Sequence, residues 1–218
     1  RVNTKKIIVV GAGPAGMMAA IRASELSSDV TLIEKNRLPG RKLLLSGKGR
    51  CNLTNNCNLD NFLKRFSSHN GQFLRDAFHK FFNKDLIAFF EKRGLALKVE
   101  RQERVFPAAG RSDSILQVLR RELEKNKVRV YYKTTLEDII VANARAQAVK
   151  LDDGKIIHAQ SIILATGGLS YAFTGSTGEG IKLAEKLGHQ IVALRQGLVP
   201  LVAEQIYVGA LNGLTLKN

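Results

Sequence analysis

Ile7-Ile8-Val9-Val10-Gly11-Ala12-Gly13-Pro14-Ala15-Gly16-Met17 is the stretch that decides the fold. Four β-branched apolar residues in a row predict a strand buried on both faces. The glycines follow without a spacer, and an Ala- and Met-rich stretch over 17–26 predicts a helix. Residues 30–34 form a second strand candidate, so strand, glycine turn, helix and strand fit a βαβ unit of a parallel sheet. Gly11-x-Gly13-x-x-Gly16 by itself is a weak signal, but between a strand and a helix it matches the dinucleotide fingerprint. Gly11 permits the tight turn, Gly13 lets the backbone approach a pyrophosphate, and Gly16 lets the helix pack on the sheet. The pyrophosphate would take the free N–H groups and the positive end of the helix dipole. Glu34 ends the second strand 18 residues after Gly16, where a carboxylate accepts from a ribose diol and repels a 2′-phosphate. The plainer alternative is a structural turn followed by a surface Glu.

Around this unit, composition narrows the class. The chain has 218 residues, 44% hydrophobic and 24% charged, which is ordinary for a globular protein and excludes a disordered one. No apolar run reaches the ~18 residues of a membrane span, and no apolar signal core follows Arg1. With no initiator Met, the start is expected to be either trimmed or an artificial edge of the chain. Cys51 and Cys57 suit neither a disulfide framework nor a metal pair, and the compartment expected is the cytosol. The outlying figure is charge, with 34 Lys and Arg against 19 Asp and Glu for a net +15. Plain solubility, a nucleic-acid surface and a site for a polyanionic small molecule all fit that total.

Between Lys35 and Cys57 periodicity is weak, and Lys35, Arg37, Arg41, Lys42, Lys48 and Arg50 occur without one Asp or Glu. A loop this long in a compact domain is usually functional. Short Phe-bearing helices are expected over 60–66 and 71–82, with Phe as core, and Asn83 reads as the N-cap of a helix over 84–93 stopped by Gly94. A strand is expected over 97–100, and Ser112 reads as the cap of a helix over 113–125 with one apolar face. Residues 128–132 suggest a third parallel strand. Strand-like pieces over 136–141, 146–151 and 155–158, the last two joined at Asp153-Gly154, suggest an antiparallel meander. The run Ser161-Ile162-Ile163-Leu164-Ala165-Thr166-Gly167-Gly168 returns to a buried strand ending in glycines, and 179–187 is a helix closed by Gly188.

A plain NAD domain would continue with alternating strands and helices. The basic loop after Glu34, the meander and the returning Ala165-Thr166-Gly167 suit FAD better, because an extended cofactor needs further phosphate and flavin contacts. Arg41 and Lys42 lie where a diphosphate could run. That order moves the weight toward the third reading of the charge. A nucleic-acid partner is the least favoured class, since interleaved aromatics and a recognised motif are missing.

The run from Gly40 through Arg41-Lys42-Leu43-Leu44-Leu45-Ser46-Gly47-Lys48-Gly49-Arg50-Cys51-Asn52-Leu53-Thr54 to Asn55 resembles the signature loop of bacterial NAD(P)/FAD-dependent oxidoreductases of the BaiN/YhiN type. Ala165 to Tyr171 and Thr174 to Gly180 match the same family, and Lys48 departs from it where Gly is more usual. The resemblance implies an α/β, Rossmann-like FAD-binding fold. Gly11, Gly13, Pro14, Ala15 and Gly16 would hold the pyrophosphate and Glu34 the adenosine ribose. Lys35, Arg41 and Lys42 would stand near the phosphates. Ser46, Gly47, Arg50, Asn52 and Thr54 would run near the ribityl chain and flavin ring, Leu136 near the adenine, and Thr166 with Gly167 over the cofactor. The activity implied is electron transfer between a small organic substrate, NAD(P)H or oxygen, and FAD, with no metal. Catalytic residues are not assigned, and Cys51 is read as a small buried thiol.

In this family the FAD domain is interrupted by an inserted domain. Residues 1–198 therefore correspond to its N-terminal segment and 199–218 to the start of a β-rich insert, so the chain is expected to be part of a longer protein. The alternative is a nucleotide-binding remnant without catalysis. Unpaired sheet edges and the apolar stretch 206–211 would then favour self-association and weak FAD retention.

Overall fold

The computed structural model describes residues 5–195, with Ser27, Ser28 and Ser67 excepted, and Gly197. The expected start of an insert at 199–218 lies outside the described residues, as does the apolar stretch 206–211.

The opening unit forms as its residues dictate. Strand β1 (Lys6–Val10) leads through the glycine turn into helix α1 (Pro14–Glu25), which returns to β2 (Asp29–Glu34). Helix α1 starts at Pro14, three residues before the expected start, because proline needs no N–H partner at the first helical position. Strands β6 (Arg129–Tyr132) and β10 (Ser161–Leu164) complete a four-stranded parallel sheet in the order β10-β1-β2-β6. Alternate residues of β1 serve two cores. Val9 packs with α1 and with helix α6 (Ser112–Lys125). Ile8 and Val10 pack with Leu136, Ile139, Val149 and Leu151. The second group belongs to the expected meander, β7 (Leu136–Ala142), β8 (Arg145–Leu151) and β9 (Ile156–His158), paired antiparallel. The parallel sheet is thus covered by helices on one face and by a small sheet on the other, which explains its uninterrupted apolar strands.

The stretch after Glu34 has more structure than its periodicity suggests. Helix α2 (Arg41–Leu45) is followed by a 3-10 turn (Ser46–Gly49) and by β3 (Thr54–Asn55). β3 pairs with the unpredicted β5 (Arg104–Pro107), which pairs with β4 (Leu97–Glu100). Helices α3 (Leu59–Leu63), α4 (Ser68–Lys80) and α5 (Asn83–Glu91) lie between β3 and β4 in the chain.

Three expectations need correcting. Asn83 is the first residue of α5, not its cap. Its Nδ2 donates to the carbonyls of Asn55 and Cys57, both at 2.7 Å, while Asp85 accepts from the Phe82 N–H. Ser112 likewise lies inside α6, and its Oγ donates to the Leu44 carbonyl at 3.0 Å. Both side chains are recruited by segments distant in sequence, which overrides the local preference for capping. The Phe-rich stretch is also not uniformly core. Phe90 is buried, but Phe73 is 87% exposed and Phe66 and Phe81 are over a third exposed, while Phe62, Phe78 and Phe82 pack ring against ring. Among the described residues no helix is long and apolar enough to cross a membrane.

Candidate functional site

A cleft of about 420 Å³ opens at the carboxyl ends of β1, β2 and β10, within the ~300–1,000 Å³ usual for small-molecule sites. Its floor is the glycine turn. Gly11 adopts φ +101°, donates its N–H to the Ile33 carbonyl at 2.7 Å, and a Cβ there would stand 2.5 Å from the Ala165 carbonyl oxygen. A Cβ on Gly16 would stand 1.8 Å from the Gly11 carbonyl oxygen, so Gly16 seats α1 against the turn and does not itself line the cleft. Gly13 differs from both. Its backbone is extended at φ −74°, and a Cβ there would meet nothing within 4 Å. Gly13, Pro14 and Ala15 line the cleft, and α1 has neither a capping side chain nor an acidic residue in its first turn. The positive end of α1 therefore faces open space.

Glu34 is buried at the end of β2. Its Oε2 accepts from the Ala12 N–H at 2.8 Å, and its Oε1 accepts from the N–H and Nδ2 of Asn36 at 2.8 and 2.7 Å. A carboxylate offers about four lone-pair directions, so some accepting capacity remains for a ligand. Leu136 lines the cleft, as do Thr166 and Gly167. Gly180 lies against Thr166, whose Oγ1 is 2.1 Å from where a Cβ at 180 would stand.

The three cations expected near phosphates also reach the cleft, and each is held. Lys35 Nζ donates to Thr177 Oγ1 and Glu179 Oε2, both at 2.8 Å. Arg41 donates to Asn36 Oδ1 at 2.8 Å, and Lys42 to Ser176 Oγ at 2.5 Å. Their partners lie mainly on the turn before helix α7 (Glu179–Lys186), which also lines the cleft. The Lys35 ammonium holds the Glu179 carboxyl below its ordinary range, against the opposing effect of burial. Sequence reasoning assigned no role to Asn36, Thr134, Thr135, Ser176, Thr177 or Glu179. Only the family match over 174–180 marked that turn.

Ser46, Gly47, Arg50, Asn52 and Thr54 do not line this cleft. Ser46 Oγ donates to the Leu43 carbonyl at 2.6 Å, and Gly47 at φ +57° packs against the Asn52 N–H. Arg50 pairs with Glu100 and lies 4.3 Å from the Phe106 ring centroid, and Thr54 pairs with Val105. Cys51 is buried in the helix-side core, where burial pushes its thiol pKa up and a Ser46 hydrogen bond opposes this. Among the described residues no group of three or more His, Cys, Asp or Glu could hold a metal ion.

Comparison with known proteins agrees with this fold. Residues 5–211 match the family model described as the HI0933-like protein Rossmann domain. A ribosomal RNA dihydrouridine synthase of Escherichia coli (strain K12) is 33% identical over 193 residues, covering 88% of this chain and 47% of the relative. A 3-dehydro-bile acid delta(4,6)-reductase of Clostridium scindens is 31% identical over 198 residues, covering 90% of this chain and 47% of the relative. The chain thus spans about half the length of the curated relatives it matches. In fold it is similar to 3-ketosteroid-delta4-(5alpha)-dehydrogenase from Rhodococcus jostii RHA1, with TM-score 0.67 at 16% identity over 85% of this chain and 55% of that one. The E. coli quinol fumarate reductase FrdA gives TM-score 0.65 at 17% identity over 84% of this chain and 37% of that one. Sequence and fold together therefore assign this chain to the HI0933-like protein Rossmann domain family.

Proposed function

We propose that this chain binds FAD in the cleft and forms the FAD-binding portion of an oxidoreductase. The observation that carries this reading is the glycine turn. The backbone above Gly13 is open, the start of α1 is uncapped, and a buried carboxylate stands at the end of β2. Those features suit a pyrophosphate and a ribose diol. Gly11, Gly13, Pro14 and Ala15 would hold the pyrophosphate, with Gly16 seating the helix behind them. Glu34 would take the adenosine ribose, Leu136 would border the adenine, and Thr166 and Gly167 would close over the cofactor. Lys35, Arg41 and Lys42 would offset phosphate charge. Ser46, Gly47, Arg50, Asn52 and Thr54 would serve the flavin end, reached from the cleft along α2. FAD, when bound, supplies the hydride chemistry; this chain's residues bind, orient and shield it.

The names of two relatives narrow the reaction. Making dihydrouridine from uridine and reducing a Δ4,6-unsaturated steroid both add two hydrogens across a carbon–carbon double bond conjugated to a carbonyl. The reading is therefore a reductase of such a bond, with NAD(P)H as the source of electrons and oxygen as the competing acceptor. It is tested by reducing protein-bound flavin anaerobically, then adding either an enone or a uridine-containing RNA. Flavin reoxidation by one of them supports it, and reoxidation by oxygen alone counts against it.

A nucleic acid was the least favoured partner from the sequence, but one observation of the structure favours RNA as the carrier of that bond. The +15 charge includes Lys92, Arg121 and Lys125 around a groove between α5 and α6, and none has an ion-pair partner among the described residues. Phosphate contacts by such cations make binding salt-dependent. A filter-binding titration of structured RNA against salt tests this, and Arg121→Ala with Lys125→Ala should flatten the slope.

A further inference from the structure

Asn36 hydrogen-bonds to several segments that line the cleft. Its backbone N–H and its Nδ2 both donate to Glu34 Oε1, at 2.8 and 2.7 Å. Nδ2 also donates to the Thr174 carbonyl at 3.2 Å, and Oδ1 accepts from Arg41 at 2.8 Å. The backbone carbonyl of Asn36 accepts from the Lys133 N–H at 3.1 Å. One side chain thus ties the carboxylate at the end of β2 to α2 and to the turn before α7. The chemistry fixes which way the amide points. Glu34 Oε1 and the Thr174 carbonyl are both acceptors and need the NH₂. The Arg41 guanidinium is a pure donor and needs the oxygen. Flipping the amide would break all three bonds. Aspartate lacks the donor, serine lacks the reach, and glutamine carries an extra methylene that the site opposes. Gly175 shows how close that packing is. It sits at φ +105°, and a Cβ there would stand 2.6 Å from Asn36 Nδ2.

We propose that Asn36 is the positioning residue that makes Glu34 selective for an adenosine ribose diol. This rests on the ribose reading of Glu34 given above. With Oε1 held by two donors from Asn36 and Oε2 by the Ala12 N–H, the carboxylate cannot turn, and its remaining lone pairs are presented in one direction. Only a donor meets them favourably, which a ribose hydroxyl supplies and a 2′-phosphate does not. The same amide anchors Arg41 by one N–H and leaves the others free for a diphosphate. Asn36 never needs to touch the ligand; it acts through Glu34 and Arg41.

The test is a cycle between protein and ligand, using ADP, 2′-deoxy-ADP and 3′-deoxy-ADP as probes and calorimetry on the purified protein. For the wild type, removing a ribose hydroxyl that Glu34 accepts should weaken binding about tenfold or more. In Asn36→Ala, and in the isosteric Asn36→Asp, which keeps the acceptor for Arg41 but loses the Nδ2 donor, that ratio should fall toward one. A purely structural role would weaken all three nucleotides alike and leave the ratio unchanged. If the wild type discriminates and the variants discriminate equally, the inference is overturned while the ribose reading of Glu34 stands. If the wild type binds ADP and its deoxy forms equally, the ribose reading itself fails and the inference falls with it. Should the Ala variant not fold, the Asp variant decides, and Gly175→Ala, which crowds the same amide, gives an independent shift in the same ratio.

Discussion

Two segments line the cleft, and they differ in what fixes them. The glycine turn is set by backbone sterics within a few residues: Gly16 must lack a Cβ because Gly11 is next to it. The basic segment after β2 is set by side chains whose partners lie 134 to 144 residues away, on Ser176, Thr177 and Glu179. Local sterics can be read from spacing. A cation on a loop announces its charge but not the group that will hold it.

The largest effects should separate two glycines of one motif. Gly16→Ala forces a methyl to 1.8 Å from a backbone oxygen and should cost at least ~1–3 kcal/mol, lowering Tm by several degrees in a thermal melt. Gly13→Ala meets nothing in the protein and keeps an allowed backbone, so stability should hold within ~0.5 kcal/mol. Its methyl would enter the cleft, and FAD affinity should fall about tenfold or more, about 1.4 kcal/mol. Equal melts for the two variants would break the distinction drawn between them.

Next in size is Glu34→Gln. The new NH₂ must face either the Ala12 N–H or the two Asn36 donors, donor against donor. A charge-assisted bond of ~1.5–3 kcal/mol is lost, so FAD titration should show a drop of at least tenfold. A change within about twofold would remove Glu34 from ribose recognition.

Smaller still are effects on the basic side. Arg41→Ala should weaken FAD binding modestly and flatten its salt dependence, because partly exposed charges are screened within ~8–10 Å. An unchanged slope would mean that Arg41 serves Asn36 alone. The Lys35–Glu179 pair gives a pH signature. The Glu179 pKa is lowered, first by the Lys35 hydrogen bond, so the pair adds stability above the unfolded carboxyl's pKa. That contribution is lost as pH falls through the lower, folded value. Melts of Glu179→Gln should therefore converge with wild type at acid pH and diverge toward neutrality, by a small amount because the pair is partly exposed.

How far the sequence carried follows from the same contrast. The parallel strands were legible as short runs of β-branched, apolar or aromatic residues, and α1, α6 and the meander as elements with one apolar face. In the small sheet only β4, expected over 97–100, was legible, while β3 and β5 were not. β3 has two residues and β5 four, too few to show a period, and β5 is paired across some 50 residues of chain. The capping roles given to Asn83 and Ser112 failed for a related reason. Both residue types suit a cap, but the carbonyls of Asn55, Cys57 and Leu44 fold against them and take their donors. In the site, Gly11, Gly13, Glu34, Leu136, Thr166 and Gly167, singled out from sequence, all line one cleft. Asn36 was passed over beside two lysines and an arginine, since an amide's value lies in satisfying donors and acceptors that only the fold assembles.

The central claim is that FAD occupies the cleft above Gly13. The most direct measurement is the flavin absorbance of protein incubated with FAD and passed through gel filtration, for wild type beside Gly13→Val. The account predicts that flavin co-elutes with the wild type and is absent from a Gly13→Val protein whose circular dichroism and melt are unchanged. Equal flavin on both proteins, or none on either, would contradict it.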